Sequence, residues 1–556
     1  GGQFDYFEPV EWQDGADAVE FLAGGPWSNG DLAFVGKSYP GITPLYVAAA
    51  AGLNPGSHLR AIVPGAFFAD LYRDVAYPGG IPNLVFGAAF GLVSQPANTF
   101  DQTQAGITGL DQTCIQNMAQ HAANPSTNPT VDGTQHPFDD SFYHQRSDIY
   151  YAGQVRVPVL AELAWQDEEL AARAIDYVNA LPSGVPWRAV LMNGDHGEYY
   201  GPSVKPEIFR FLDFWLRKRV APADRCYSLD LASAQYCYSS EPRVLVNSDL
   251  GPDRTASFQT RYPAWPVTAQ VDRLYLHSGG VMDHSSAKVG DAAATYDYAP
   301  GTGTNSYGQS QWTSGSLPAM DYWQTQPPAG QVATFTTPPF AQTSVYVGTG
   351  SLDLTFASTL PDTDLEAMLT ELRPDGKGGW LEQYVQKGWL RASHRAQAGA
   401  ASCAADPGTC STPLRPYQTH ALGDVAPLVP GQATTMRLEI FPFGQVIRAG
   451  DRLRLTIEAP SLKPELWGFE ALPGPAVNTV YTDAANPSSL ALPIVPLSPK
   501  TKIPSERPCG GIRNQPCRPA DASSLPSAGA TATGGAGGQA APAAPRPAAP
   551  RGPRPL

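Results

Sequence analysis

Ser38 lies in the segment GKSYPG, between an apolar run that ends at Gly36 and an alanine-rich run that begins at Ile42. A serine on a tight turn between a strand and a helix is presented to substrate, and the helix N-terminus stabilises negative charge on the reacting oxygen. Gly36 and Gly41 allow the close backbone approach that such a turn needs. Pro40 falls in the first helical turn, where its missing N–H has no partner to lose. Ordinary loops contain the same pattern, so the segment alone is a weak signal.

A nucleophilic serine needs a base, and the base needs a carboxylate that orients it. Asp167 comes just after the apolar run VPVLAELAW, and His196 follows the next such run, WRAVLMNG. Side chains at the carboxyl ends of parallel strands meet at one edge of the sheet, and the order serine, acid, histidine suits a triad at such an edge. We therefore predict Ser38 as the nucleophile, Asp167 as the orienting carboxylate and His196 as the general base. Three other histidines are poorer candidates by position: His58, His277 and His394.

The runs that carry these residues predict a parallel α/β sheet. From 31 to about 220, strand-like apolar runs alternate with longer, helix-compatible stretches, and this alternation is typical of parallel α/β folds. It predicts a catalytic domain over 1–220. The regularity fails between about 70 and 150, which we interpret as a mostly helical cap inserted over the sheet. The stretch 205–220 has apolar residues at helical spacing and basic residues at its end, as a closing helix would.

The second half of the chain has a different pattern of residues. Short β-branched and aromatic runs, broken by Gly, Pro and Asp, follow one another over about 240–498. That pattern predicts an all-β sandwich or jelly roll. The last part, 499–556, is rich in Pro, Ala and Gly, and such a composition buries too little apolar surface to order itself. We therefore predict a disordered tail.

The composition excludes several classes of protein. The 556 residues are 42% hydrophobic and 16% charged, which allows a large buried core. The 37 basic and 51 acidic residues give a net charge of −14, so we expect no nucleic-acid partner. Apolar runs such as 84–93 are far shorter than the roughly 20 residues of a membrane helix, so we expect a soluble protein with no membrane partner. No motif indicates a metal ion or an organic cofactor, and homo-oligomerisation stays open.

Six of the seven cysteines fall in three close pairs. Their spacing favours local disulfides in an oxidising compartment, and the predicted bridges are Cys226–Cys237, Cys403–Cys410 and Cys509–Cys517. We accordingly expect a secreted or periplasmic (extracellular) protein. Reduced cysteines paired by chance are the alternative. Zinc is disfavoured because no CxxC motif or histidine cluster accompanies the pairs.

Longer segments resemble a known family. They include DGADAVEFLAGGPWSNGDLAFVGKSYPG, ADLYRDVAYPGGIPN, HPFDDSFYHQRSDIYYAGQVRVPVLAELAWQDEE, GDHGEYYG and GQVIRAGDRLRLTIEAP. Over about 1–465, and in matching order, they are similar to the α/β-hydrolases of the X-prolyl dipeptidyl aminopeptidase and cocaine esterase family, which includes α-amino-acid ester hydrolases and glutaryl acylases. The resemblance implies an α/β-hydrolase domain with a helical cap, followed by a jelly roll. The family's serine motif reads G-x-S-Y-x-G, which GKSYPG fits.

The resemblance also implies roles for individual residues. Ser38, Asp167 and His196 would form the triad, and the backbone N–H of Tyr39 would be one oxyanion donor. The family's second donor is a tyrosine hydroxyl from a loop upstream of the region where this chain begins. Because the sequence starts at Gly1 rather than methionine, we expect an N-terminal truncation, with the first strands and that tyrosine on a missing upstream segment.

The predicted function is a serine hydrolase that cleaves an acyl ester or amide, an esterase or acylase, through an acyl-enzyme. Amine-recognising members of the family use acidic residues near this strand end. Four carboxylates are therefore candidates for binding a free α-amine: Glu168, Glu169, Asp70 and Asp74. An X-Pro dipeptidyl aminopeptidase acting on short peptides is thus the first alternative, and surface acids without a ligand are an equally simple interpretation.

A second alternative is a catalytically inert protein whose jelly roll binds a glycan or a partner. Three tryptophans of the β-rich region could form a sugar-binding platform, although aromatic residues more often pack a sandwich core: Trp380, Trp389 and Trp467. No cofactor is required by either the hydrolytic or the binding hypothesis.

Overall fold

Two large β-sheets organise the chain. The structure, a computed structural model, describes residues 6–88, 90–91, 129–216, 226–227, 236–237, 241–304, 323, 326–462, 467–496, 502–521 and 525. Within this part of the chain the first sheet has six strands and the second has twelve. The first sheet carries the residues predicted to do chemistry.

The strands of the first sheet lie side by side in chain order. They are β1 (Leu32–Lys37), β2 (Leu59–Gly65), β3 (Val159–Ala164), β4 (Trp187–Met192), β5 (Val244–Ser248) and β6 (Phe258–Tyr262). Strands β1 to β5 are parallel, and β6 runs antiparallel to β5. Every residue of β3 is buried, as expected for a strand covered on both faces. The parallel arrangement brings the ends of β1, β3 and β4 to one edge.

Helices pack against this sheet and lie within the predicted insertion, and one short helix lies in the β-rich half of the chain. The α-helices are α1 (Pro9–Ala23), α2 (Tyr39–Gly52), α3 (Pro129–Gln135), α4 (Ser141–Gln145), α5 (Tyr177–Ala180), α6 (Lys205–Trp215) and α7 (Ala400–Ala405). A π-helix covers Tyr72–Ala76, and residues 84–88 and 90–91 are also helical. The predicted closing helix corresponds to α6. Residues 92–128 lie outside the described part, so the helical cap stays a prediction.

The second sheet gathers the β-rich half of the chain. Its strands are β7 (Gln270–His277), β8 (Val281–Asp283), β9 (Ala294–Tyr298), β10 (Ala333–Thr336), β11 (Ser344–Ser358), β12 (Asp364–Pro374), β13 (Trp380–Arg391), β14 (Thr434–Ile447), β15 (Arg452–Glu458), β16 (Ala476–Val480), β17 (Ser489–Val495) and β18 (Cys517–Pro519). Their order is β9-β16-β11-β17-β7-β8-β10-β15-β12-β13-β18, and β14 also pairs with β11. The chain thus has a C-terminal β-rich domain, whose jelly-roll connectivity stays a prediction.

One predicted boundary requires correction, and the other stays a prediction. Strands β5 and β6, which lie beyond the predicted boundary at 240, pair within the first sheet. Short apolar strands look alike in either sheet, so their sequence gives no sign of the partner. Residues 502–521 were predicted to be disordered, yet β18 pairs with β13 and Arg518 donates a 2.9 Å hydrogen bond to Glu382. Residues 522–524 and 526–556 lie outside the described part.

Two of the three predicted disulfides are formed. They join Cys403 to Cys410 and Cys509 to Cys517. Cys226 stands opposite Cys237 in the backbone register of two short strands, but their side chains lie outside the described part, so that bridge stays a prediction, as does secretion. Among the described residues, no helix is long and apolar enough to cross a membrane.

Candidate active site

Ser38 lies on the turn between β1 and α2. Its backbone has φ 63° and ψ −134°, a left-handed conformation that is uncommon for a residue with a side chain and is often found at functional sites. The turn is held by the Ser38 N–H, which donates to the Gly65 carbonyl at 3.0 Å, and by the Ile42 N–H, which donates to the Ser38 carbonyl at 2.9 Å. The strand, strained serine and helix follow one another as the sequence predicts.

Glycines around the turn leave no room for a side chain. A Cβ atom on Gly36 would lie 2.0 Å from the Pro40 carbonyl oxygen, and one on Gly41 would lie 2.1 Å from the Gly65 carbonyl oxygen. Both obstacles are backbone atoms, which cannot rotate away. These glycines therefore fix how closely α2 approaches β1 and β2, and so where Ser38 is held.

His196 and Asp167 form a buried hydrogen-bonded pair at the ends of β4 and β3. His196 Nδ1 lies 2.8 Å from Asp167 Oδ2 and 3.0 Å from Oδ1, and both residues are almost fully buried. Asp167 Oδ1 also accepts hydrogen bonds from the backbone N–H groups of Glu169 and Leu170, at 2.8 and 3.1 Å. The carboxylate is thus held from two sides, and it orients the imidazole with Nε2 available for proton transfer.

The remaining ring nitrogen faces a second carboxylate. His196 Nε2 lies 3.4 Å from Glu169 Oε2, and within the described part it has no hydrogen-bond partner, Ser38 included. Ser38 stands at the same sheet edge, at the end of β1, with β2 between its strand and β3. Catalytic hydrogen bonds are often long in an unliganded enzyme and shorten when substrate binds. The structure therefore joins two of the three predicted triad members directly.

Carboxylates dominate the electrostatics around this histidine. Burial would lower the pKa of His196, but the charge and hydrogen bond of Asp167 and the charge of Glu169 raise it to about 9. Burial, together with the charges of Asp167 and Asp195, raises the pKa of Glu168 to about 8. One Glu168 oxygen accepts the His196 backbone N–H at 3.0 Å. Glu168 is thus a support for the histidine loop.

Two family models match the chain in succession. The model described as "X-Pro dipeptidyl-peptidase (S15 family)" matches residues 1–198, and "X-Pro dipeptidyl-peptidase C-terminal non-catalytic domain" matches residues 239–491. The chain belongs to this family. It is a serine hydrolase of the α/β-hydrolase fold, in agreement with the resemblance found in its sequence.

Related proteins are similar over most of the chain. A candidate serine esterase of Mycobacterium bovis is 24% identical over 545 residues, which cover 87% of this chain and 79% of that protein. A CocE/NonD family hydrolase of Staphylococcus aureus has a similar structure, with a TM-score of 0.65 and 21% identity over 89% of this chain and 77% of that one. An α-amino acid ester hydrolase aligns with a TM-score of 0.60 and 18% identity, over 87% of this chain and 80% of that one. The structural matches support the fold.

The four carboxylates predicted to bind an amine differ in their surroundings. Asp70 Oδ2 pairs with Arg73 at 2.9 Å, and Asp74 Oδ1 pairs with Arg173 at 2.8 Å. Asp74 Oδ2 also accepts two backbone N–H groups at 2.9 Å. Asp70 and Asp74 therefore act within a buried ionic network, whereas Glu168 and Glu169 contact His196. An amine-binding role remains a prediction for all four.

Two buried residues near the site were missed by the sequence analysis. Gln166 accepts the Gly194 N–H at 3.3 Å and donates to the Val385 carbonyl at 2.8 Å, so it links the two loops of the pair to β13. Glu162, within β3, is buried, and burial raises its pKa well above the ordinary value. A glutamate inside an otherwise apolar strand was a signal in the sequence that could have identified this residue. The contacts of Gln166 depend on the packing of the two domains and have no local signal.

An aromatic pocket lies beside the nucleophile turn. Its lining includes Phe7, Phe86, Phe90, Tyr77 and Tyr143. The ring of Phe7 stacks on Tyr39 with centroids 4.6 Å apart, and it stacks on Phe90 at 6.1 Å. Through Phe7, this pocket adjoins Tyr39, the residue that directly follows Ser38.

A second serine, histidine and aspartate group lies in the β-rich domain. His277 Nδ1 lies 2.8 Å from Asp291 Oδ2, and His277 Nε2 lies 3.3 Å from Ser285 Oγ. Ser285 Oγ also makes a short hydrogen bond to Asp283. That carboxylate competes with His277 for the hydroxyl proton, and Ser285 is exposed on a turn. We interpret this group as a turn-stabilising network.

The predicted sugar platform is wrong for two of its three tryptophans. Trp389 and Trp467 are buried and stack on each other with ring centroids 5.2 Å apart, so they form part of the core. Trp380 carries the guanidinium of Arg452 over its ring at 4.8 Å.

One acidic group in the described part has the spacing of metal ligands: Glu371, Asp451 and Glu506. Arg373 pairs with Glu371 and Glu506 there.

Proposed function

We propose that the chain is an esterase or acylase that uses Ser38, His196 and Asp167 in an acyl-enzyme mechanism. The observation that carries the proposal is the buried His196–Asp167 pair, with Nδ1 and Oδ2 2.8 Å apart, at the sheet edge where β1 ends in the strained Ser38. A histidine held this way can take a proton from a serine hydroxyl, because its tautomer is fixed by the carboxylate.

The reaction proceeds in two halves. Ser38 Oγ attacks the acyl carbon while its proton moves to His196 Nε2, and the backbone N–H of Tyr39 stabilises the oxyanion. The bond to the leaving alcohol or amine then breaks, and the leaving group takes the proton from Nε2. Water attacks the acyl-enzyme with His196 again as base, the acyl–Oγ bond breaks, and Ser38 recovers its proton.

The aromatic pocket favours a substrate with an apolar acyl or alcohol group. Burial of such a group against Phe7 and Phe90 contributes binding free energy of about 25 cal/mol per Å² of apolar surface. The relatives named as serine esterases agree with an ester as substrate. We therefore propose esters of apolar acids before peptides.

The test is covalent labelling and turnover. Wild-type protein should hydrolyse p-nitrophenyl butyrate and react with a fluorophosphonate probe at Ser38, and Ser38→Ala should lose both. Ser285→Ala is the matched control, since it removes a serine from the other Ser-His-Asp group and should behave as wild type. A label found on Ser285, or turnover retained by Ser38→Ala, would contradict the assignment. A wild-type protein that neither reacts nor turns over would favour the inert binding protein.

A dipeptidyl aminopeptidase is the second candidate function. The observation that favours it is the Glu169 carboxylate, whose Oε2 lies 3.4 Å from His196 Nε2, close enough to meet the ammonium group of a bound substrate. Gly-Pro-p-nitroanilide and its N-acetylated form distinguish the two functions. Selective cleavage of the free-amine form, lost in Glu169→Gln, would support the aminopeptidase; equal cleavage of both forms would rule out an amine site.

A further inference from the structure

A loop near the end of the described chain lies against the catalytic edge. Residues 509–517, here called the C-terminal loop, are closed by the disulfide between Cys509 and Cys517. The loop lies beyond residue 491, where the match to the family's C-terminal domain ends. Its tip residues, Arg513 and Asn514, contact the loops that carry the catalytic pair.

We propose that the C-terminal loop is a positioning element for the His196–Asp167 pair, with Arg513 and Asn514 as its positioning residues. This inference rests on the function proposed above. It adds to the family's triad a part of the chain that neither family model covers.

The first contact holds the loop that carries Asp167. The Asn514 side-chain amide donates a short hydrogen bond to the carbonyl of Gln166, the residue before Asp167. The Trp165 carbonyl, one residue earlier, accepts a hydrogen bond from Gln386 of β13 at 2.8 Å. Two consecutive carbonyls before the catalytic aspartate are therefore fixed from outside the first sheet.

The second contact holds the loop that carries His196. The Arg513 guanidinium makes short contacts to both Asp195 and Glu198, which flank the histidine. Asn193, just after β4, donates to the Arg513 carbonyl at 3.2 Å. One arginine thus spans the histidine loop from its start to the residue two positions after His196.

Arg513 also stabilises this loop through its positive charge, because it lies beside two carboxylates. Burial and the charge of Asp195 raise the pKa of Glu198 to about 7, while the charge of Arg513 lowers it. Asp195 N donates to Glu198 Oε1 at 3.3 Å, so the glutamate also closes the turn around the histidine. Without Arg513, two neighbouring carboxylates would repel each other in a poorly solvated site, and this turn would open.

The C-terminal loop can hold the loops of Asp167 and His196 in place because it is itself anchored by several bonds. Gln515 donates to Gln445 at 2.9 Å and accepts from Gln383 at 3.1 Å. The Arg513 N–H donates to the Leu250 carbonyl at 2.9 Å. The disulfide joins the two ends of the loop across eight positions of sequence. The loop therefore ties the catalytic loops to the β-rich domain.

The experiment compares turnover per labelled active site. Arg513→Ala and the double variant Cys509→Ser/Cys517→Ser should lower kcat on p-nitrophenyl butyrate by about 10- to 100-fold, the scale expected when catalytic groups shift by about 1 Å. KM should change little, because neither contact touches substrate. Arg513→Lys should give an intermediate kcat, because an ammonium group offsets the repulsion between the two carboxylates but cannot bond both in the forked geometry of a guanidinium.

Controls separate this inference from the proposed function and from misfolding. Arg273→Ala removes a half-exposed arginine paired with Asp353, and Cys403→Ser/Cys410→Ser removes the other described disulfide; both should keep wild-type kcat. Counting sites with a fluorophosphonate probe normalises for any unfolded fraction. Wild-type kcat per labelled site in Arg513→Ala and in the Cys509 double variant would overturn the inference while leaving Ser38 as nucleophile. Turnover retained by Ser38→Ala would instead overturn the proposed function.

Discussion

Glu169 Oε2 lies 3.4 Å from His196 Nε2, the nitrogen that would face Ser38 in the proposed mechanism. The other ring nitrogen, Nδ1, is hydrogen-bonded to Asp167. The His196 ring therefore lies between two carboxylates. This arrangement stabilises the imidazolium form, which cannot act as a base. We therefore expect Glu169 to influence the proposed reaction through its charge on His196, whether or not a substrate amine binds to it.

The pH dependence of catalysis follows from this arrangement. Since the pKa of His196 is raised to about 9, the neutral base becomes more abundant as pH rises, and kcat/KM for a neutral ester should increase up to about pH 9. Glu169→Gln removes a charge that favours the imidazolium. The pKa of His196 should fall, the acid limb should move to lower pH, and the rate at pH 7 should rise. Stopped or continuous assays with a p-nitrophenyl ester across pH 6 to 10 measure this pH dependence of kcat/KM in both proteins.

The control for that shift is Glu470→Gln. Glu470 is a half-exposed carboxylate paired with Arg391, and it is absent from the groups that act on His196. Its substitution should leave the acid limb in place. An unchanged limb in Glu169→Gln would show that Glu169 does not act on the catalytic base.

Asp167→Asn tests the orienting carboxylate. The amide removes the charge that favours His196 with Nδ1 protonated, and an asparagine NH₂ would instead favour the wrong tautomer. We expect kcat to fall by about 10³- to 10⁴-fold with little change in KM. Asp253→Asn, on an exposed turn, should retain wild-type kcat. A loss below ten-fold in Asp167→Asn would contradict the assigned role.

The sequence predicted the parts of the site that depend on local order. Ser38 on a strand-to-helix turn, and Asp167 and His196 after two further strands, follow from apolar runs and the small residues around them. The pairing of His196 with Asp167 follows because parallel strands end at one edge. These features are determined within a few residues of each group.

The missed features depend on contacts between distant parts of the chain. The alanine-rich and proline-rich composition near the end obscured the ordered residues 502–521, whose stability comes from pairing with β13 and from the Cys509–Cys517 bridge. The pairing of β5 and β6 within the first sheet depends on such contacts too. Asp74 looked like a ligand in sequence because its partner Arg173 lies 99 residues away, whereas Asp70 pairs with Arg73 only three residues along the chain.

Gly41→Ala tests the packing of the nucleophile turn. The added Cβ would lie 2.1 Å from the Gly65 carbonyl oxygen, so α2 must move away from β2. We expect a loss of about 3 kcal/mol or more in the free energy of unfolding, together with loss of fluorophosphonate labelling. Gly184→Ala, where a Cβ has no neighbour within 4 Å, should change stability by no more than about 0.5 kcal/mol. Urea unfolding measures the stability of the two variants. Equal stabilities would contradict the steric conflict inferred between α2 and β2 at Gly41.

Phe90→Ala tests whether the aromatic pocket binds the acyl chain. Its ring stacks on Phe7 at 6.1 Å and on Tyr39 at 6.3 Å, so truncation removes part of the pocket wall beside Tyr39. A lost apolar contact of about 1.5–3 kcal/mol should lower kcat/KM for p-nitrophenyl octanoate by about 10- to 100-fold. The acetate, too short to reach the ring, should be affected far less. Phe21→Ala, at a residue that is 81% exposed on α1, controls for loss of an aromatic ring. An equal loss on both esters in Phe90→Ala would mean that the ring supports the turn rather than the substrate.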